Sequence, residues 1–142
     1  MSISAQLSEA AAPQYVGLML DAGSRKRLHA WWAQEVAQPL LANAPPEDLH
    51  VTIFYRPTAA QLAGVEAGKR LSVRVIGWVS DDRAQAAIVS GVEVHVGYVA
   101  HVTLATAPGV KPVQAGKLAN EGFTRANGPT LTGVVKVVPV PL

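Results

Sequence analysis

The run "LHVTI", Leu49 to Ile53, nearly returns as "AHVTL", Ala100 to Leu104. Successive side chains of a β-strand point to opposite faces, so His50 and Thr52 share one face while Leu49, Val51 and Ile53 share the other. His101 and Thr103 stand in the same relation to Val102 and Leu104. Each run therefore predicts a strand with one apolar face for a core and an imidazole beside a hydroxyl on the other. Placing a polar pair where valine would pack costs free energy. The chain uses valine freely elsewhere, as in "VEVHV" (Val92 to Val96) and "TLTGVVKVV" (Thr130 to Val138). A costly pattern made twice points to chemistry more than to packing.

Working outward, "YVGLML" (Tyr15 to Leu20) reads as a strand. The following "DAGSRKRLHAWWAQEVAQPLL" places Leu28, Trp31 or Trp32, Val36 and Leu40 at helical spacing. "NAPPED" (Asn43 to Asp48) is a proline-rich loop, and "LHVTIFY" (Leu49 to Tyr55) is a strand ended by Pro57. Thr58 to Gly68 predicts a short helix with Thr58 as its N-cap. "LSVRVIGWVS" (Leu71 to Ser80) turns at Asp81 and Asp82 into "AQAAIVS", a hairpin. Strands at Val92 to Val96 and Ala100 to Thr106, a helix over Pro112 to Glu121 and a closing strand complete the order β-α-β-α-β-β-β-β-α-β. This is an α+β arrangement in which each His-Val-Thr strand precedes a break and a helical segment, suggesting two similar halves around one core.

Length bounds the architecture: 142 residues suit a single domain, 1–142, with a flexible start over 1–13. Hydrophobic residues make up 49% and charged residues 15%, and no apolar run approaches the roughly 18 to 20 residues that span a bilayer. The N-terminus lacks the basic and apolar regions of a signal peptide, and there is no cysteine. A cytoplasmic setting is expected, with no membrane partner. The formal charge of +2 is spread along the chain apart from "SRKR" at Ser24 to Arg27, which reads as a solvated helix face. Stable DNA binding is not expected.

An imidazole titrates near pH 6.5, so two can divide general-acid and general-base duty near neutrality. One takes the proton of an attacking oxygen and the other protonates the leaving oxygen. Two hydroxyls can meanwhile hold the non-bridging oxygens of a phosphate. Together these groups supply what in-line cleavage of a phosphodiester needs without a metal. No phosphate-binding glycine loop, dinucleotide fingerprint or metal-ligand cluster occurs, so no cofactor or metal is expected.

With two His-x-Thr motifs, a preceding "YVGLMLD" strand and a helix, the sequence resembles the 2H phosphoesterase superfamily over most of Tyr15 to Val138. The short form resembles the phage branch that includes nucleases destroying cyclic oligonucleotide immune signals. The resemblance implies two pseudo-symmetric lobes of antiparallel sheet with flanking helices around a central cleft. It implies a metal-independent phosphodiesterase with His50 and His101 as the acid-base pair and Thr52 and Thr103 anchoring the phosphate. The expected substrate is a cyclic di- or trinucleotide cut at a 3′-5′ linkage, and the expected setting is a host cytoplasm during phage infection. Tyr15 and Trp78 match the positions at which that branch holds a base.

The residues themselves give part of this. Alternation through "LSVRVIGWVS" puts Leu71, Val73, Val75 and Val79 on a core face and Arg74 and Trp78 together on the other. Trp78 suits stacking on a base and Arg74 a phosphate. Gly17, on the face of Tyr15, leaves room for a ligand. Arg56 and Lys136 are further candidates for a phosphate contact that spacing does not decide between. His29 and His95 lack a hydroxyl two residues on and read as surface or structural, and Tyr55, opposite His50, reads as core. Other functions compatible with the pattern are an RNA-processing phosphodiesterase acting on 2′,3′-cyclic or 2′-5′ linkages, and a protein that sequesters a nucleotide without cutting it.

Overall fold

The computed structural model describes residues 14–44 and 49–139, so the expected flexible start and most of the "NAPPED" loop lie outside the described residues. The chain is α+β. Its strands are β1 (Gln14–Leu20), β2 (His50–Tyr55), β3 (Arg70–Ser80), β4 (Ala84–Ser90), β5 (His101–Thr106), β6 (Thr124–Arg125) and β7 (Thr130–Pro139). Its α-helices are α1 (Ala22–Trp31), α2 (Ala59–Ala63) and α3 (Val113–Asn120).

The strands run in the order β4-β5-β2-β1-β7-β3, and β3 in turn pairs with β4, so six strands close into a ring with β6 attached to β3. Every pairing is antiparallel. Closure depends on the length of β3: Arg70 to Arg74 pair with β7, and Arg74 to Ser80 pair with β4. The ring is thinnest between β2 and β5, which share the single pair Val51↔Val102.

One apolar cluster takes residues from all six ring strands, among them Val16, Leu18, Val51, Val73, Val75, Ala87, Val102, Leu104 and Leu131. Side chains from every strand of a ring meet in one cluster only on its inner face. Leu28, Trp32 and Val36, four residues apart, add the buried stripe of the helical segment. Burying a side chain such as Leu28 stabilises the fold by about 2 kcal/mol. Asp21 caps α1 by accepting from the Ser24 amide at 2.7 Å. Beyond Trp31 the helix widens into a π-helical turn, Trp32–Val36, and ends at Ala37 in the left-handed region, φ 55°. A second cluster lies outside the ring, where Val79, Ala86 and Ile88 of β3 and β4 meet Ala115 and Ala119 of α3.

Several expectations are met: the β1-α1 opening, the Thr58 cap, the β3-β4 hairpin at Asp81, and the last helix and strand; Gln61 completes the Thr58 cap as a capping box. The helix after Thr58 is shorter than expected, ending at Ala63. "VEVHV" is not a strand. Gly91 (φ 106°) turns the chain away after β4 and Gly97 (φ 88°) turns it again, and the stretch gains no ladder partner among the described residues. Val92 and Val94 lean on the core while Val96 is 91% exposed.

Two β-bulges break the strand alternation. In β2 the register passes from Val16↔Phe54 to Gly17↔Thr52, leaving Ile53 as an extra residue. Tyr55 is thereby turned from the core face to the outside, where it is 57% exposed under the guanidinium of Arg56. In β3 the register passes from Val75↔Val89 to Gly77↔Ile88, leaving Ile76 as the extra residue. Trp78 is thereby turned inward against the core and Val79 outward into the second cluster. Arg74 and Trp78 therefore lie on opposite faces of β3, not on one.

Candidate active site

Paired residues in an antiparallel ladder share a face. Val51 and Val102 are paired and fully buried, so they fix the inner face, and their neighbours His50, Thr52, His101 and Thr103 all lie on the outer one. Extending that register by one residue sets Thr52 opposite His101 and His50 opposite Thr103. The two motifs thus form one patch of two imidazoles and two hydroxyls, each side chain half-buried. His101 and His50 are close enough for the charge of one to act on the other.

The two histidines have different surroundings. On one side Tyr15 stacks on His50, ring centroids 5.1 Å apart and planes 29° from parallel. Gly17 permits this: a Cβ there would stand 3.0 Å from Cε2 of Tyr15 and 3.4 Å from Sδ of Met19. On the other side α3 covers His101. Gly116, in the middle of α3, lets the helix approach, since a Cβ at 116 would stand 3.3 Å from Cε1 and 3.7 Å from Nε2 of the imidazole. Nδ1 of His101 lies 2.9 Å from the carbonyl oxygen of Val99. A carbonyl can only accept, so this contact places the ring proton on Nδ1 and leaves Nε2 as a lone-pair acceptor.

Burial is the main force on the His101 titration and pushes its pKa below the usual histidine range. The Val99 carbonyl opposes this by favouring the charged ring, and His50 adds a smaller push downward. The Val99 carbonyl is itself held in place. Asn120 of α3 accepts from the Val99 amide at 3.0 Å through Oδ1 and donates to the Gly97 carbonyl at 3.4 Å through Nδ2.

Of the other sequence candidates, Tyr15 belongs to the cluster. Trp78 does not join it: its ring meets Trp32 edge-on, centroids 6.2 Å apart, on the inner face. Trp78 also borders an open groove of about 430 Å³ with Gln38, Ser80, Leu118 and Phe123. Arg74 lies on the outer face, exposed, paired with Ser90 and Thr130. His95 is exposed and bonds the Val96 carbonyl at 2.9 Å, while His29 is half-buried on α1. Sequence reasoning missed Gly116, Val99 and Asn120. A glycine inside a predicted helix, where it costs about 1 kcal/mol against alanine, was the available signal.

Among the described residues no three His, Asp or Glu side chains converge as a metal site, and no helix is long and apolar enough to cross a membrane. Neither a protein-family model nor any curated protein matches the chain.

Proposed function

We propose that this chain is a phosphodiesterase of the 2H type, using His50 and His101 as an acid-base pair and Thr52 and Thr103 as phosphate anchors. The single observation that carries the reading is the Val51↔Val102 pair, which brings both motifs to one face of one seam. Arranging the halves as two pseudo-symmetric lobes around a cleft is the finer form of the proposal, and the patch along the β2-β5 seam is its centre.

The surroundings of the two rings divide their roles. Nε2 of His101, unprotonated because Nδ1 is committed to Val99, suits the general base. It takes the proton of the attacking oxygen, here the 2′-OH beside a 3′-5′ linkage. That oxygen bonds to phosphorus as the bond to O5′ breaks, and His50 gives its proton to the departing O5′. The products are a 2′,3′-cyclic phosphate and a free 5′-hydroxyl, which open a cyclic oligonucleotide. Hydroxyls of Thr52 and Thr103 hold the non-bridging oxygens as negative charge grows on them. Tyr15 offers its ring to a base, while Trp78 and Arg74 fall outside this cluster.

The preferred substrate is a cyclic di- or trinucleotide signal, and the proposed setting is the cytoplasm of a cell under phage infection. The test is incubation in EDTA with a panel of cyclic di- and trinucleotides and RNA ending in a 2′,3′-cyclic phosphate, with products identified by mass. Opening of a cyclic oligonucleotide supports the reading. Turnover of the RNA end alone assigns RNA processing instead, and recovery of every bound nucleotide intact assigns sequestration.

A further inference from the structure

Two hydroxyls and two imidazoles leave the charge of a phosphate largely unmatched. The strand register shows where a fixed cation stands. Gly17 of β1 pairs with Thr52 of β2 on one side and with Lys136 of β7 on the other. Lys136, Gly17, Thr52 and His101 therefore form one row across four strands on the outer face. Strands lie about 4.8 Å apart, so the Lys136 backbone is about 10 Å from that of Thr52. The residue between them has no side chain, but the space above it holds the Tyr15 ring and Sδ of Met19, so the flexible stem of lysine carries its ammonium along the β7 side of that ring.

Two other cations are less well placed. Arg56 lies just past the end of β2, four residues after Thr52, and its guanidinium sits 5.6 Å above the Tyr55 ring. Arg70 lies in the row of His50 but two strands beyond Met19, and its guanidinium is 3.7 Å from the carboxylate of Asp21. The Lys136 side chain is exposed and, among the described residues, its ammonium has no hydrogen-bond or ion-pair partner.

We propose that the ammonium of Lys136 binds a phosphate of a nucleotide ligand on the β7 side of the Tyr15 ring, in the row of Thr52. This rests on the phosphodiesterase reading for the choice of ligand, and adds to it the group that neutralises phosphate charge. Lys136 then sets a preference for ligands with a phosphate on the β7 side of the seam.

The test is binding of adenosine 3′,5′-bisphosphate, which has two phosphates and no diester to cleave, by calorimetry between about 50 and 200 mM salt. Lys136→Met is expected to weaken binding about tenfold, as for loss of a charged hydrogen bond, and to lower the salt slope by about one ion. Lys136→Arg should restore most of the affinity, and Lys111→Met, at an exposed lysine two residues before α3, should bind as wild type. Equal binding by Lys136→Met and wild type, equal loss in Lys111→Met, or no binding by wild type overturns the proposal. Cleavage in EDTA is read separately. A protein that cleaves but binds without help from Lys136 keeps the function and loses this inference, and one that binds through Lys136 but cuts nothing does the reverse.

Discussion

Gly116 lies against the imidazole of His101 so closely that a Cβ would stand 3.3 Å from Cε1. The helix accepts a poor helix former at its centre, and the ring gains a wall. Gly116→Ala should thus separate stability from activity. Better helix propensity, up to about 1 kcal/mol, offsets the crowding, so the melting temperature should stay within a few degrees. The ring must yield by a few tenths of an ångström, and kcat/KM should fall about three- to tenfold, since misplacement near 1 Å can cost about 100-fold. Thermal melts and rates on the same preparation decide it; an active Gly116→Ala with wild-type rates would remove the wall from the mechanism.

Each histidine of the pair is indispensable in the proposed chemistry. His50→Ala and His101→Ala should each reduce turnover in EDTA by about 100- to 10,000-fold, the range for losing a general acid or base. Nucleotide binding should largely survive both. Near-wild-type rates in either variant would falsify the paired mechanism.

Burial of His101 gives a pH signature with a defined sign. Its native pKa is lowered, so below the unfolded value of about 6.5 the folded chain binds fewer protons than the unfolded chain. Its contribution to stability is therefore complete above about pH 6.5 and is lost as the pH falls through the lowered native value, with a slope of at most about 1.4 kcal/mol per pH unit. Urea denaturation of His101→Gln should show a flatter acid limb than wild type. In kcat/KM, the limb reporting the base should lie below the ordinary histidine range, read as a property of the coupled pair.

Gly17 should be sensitive through Tyr15. A Cβ at 17 would stand 3.0 Å from Cε2 of Tyr15, so Gly17→Ala must tilt the ring that stacks on His50. A drop in activity larger than the drop in stability is expected. Tyr15→Phe, which keeps the ring, should retain more activity than Tyr15→Leu. Equal rates for the two Tyr15 variants would show that ring stacking on His50 is immaterial.

Much of the fold is legible because local signals agree with it. Thr58 is a cap by side-chain chemistry, and Leu28, Trp32 and Val36 fall on one helical stripe. What alternation misses are the bulges. Ile53 and Ile76 look like ordinary strand residues, yet each is an extra residue, and past each one an aromatic changes face: Tyr55 outward and Trp78 inward. A bulge is chosen by how two strands meet, which a single strand does not contain.

The sequence by itself determined the two His-x-Thr pairs and, through strand alternation, that each pair shares a face. Only the tertiary structure decided that the faces coincide, because that depends on one pair, Val51↔Val102, joining strands far apart in the chain. It also decided that the histidines differ. The motifs are almost identical in sequence, but Tyr15 lies on one ring, while Gly116 and the Val99 carbonyl enclose the other. Burial and hydrogen bonding, set by elements elsewhere in the chain, make one pattern into two unlike groups.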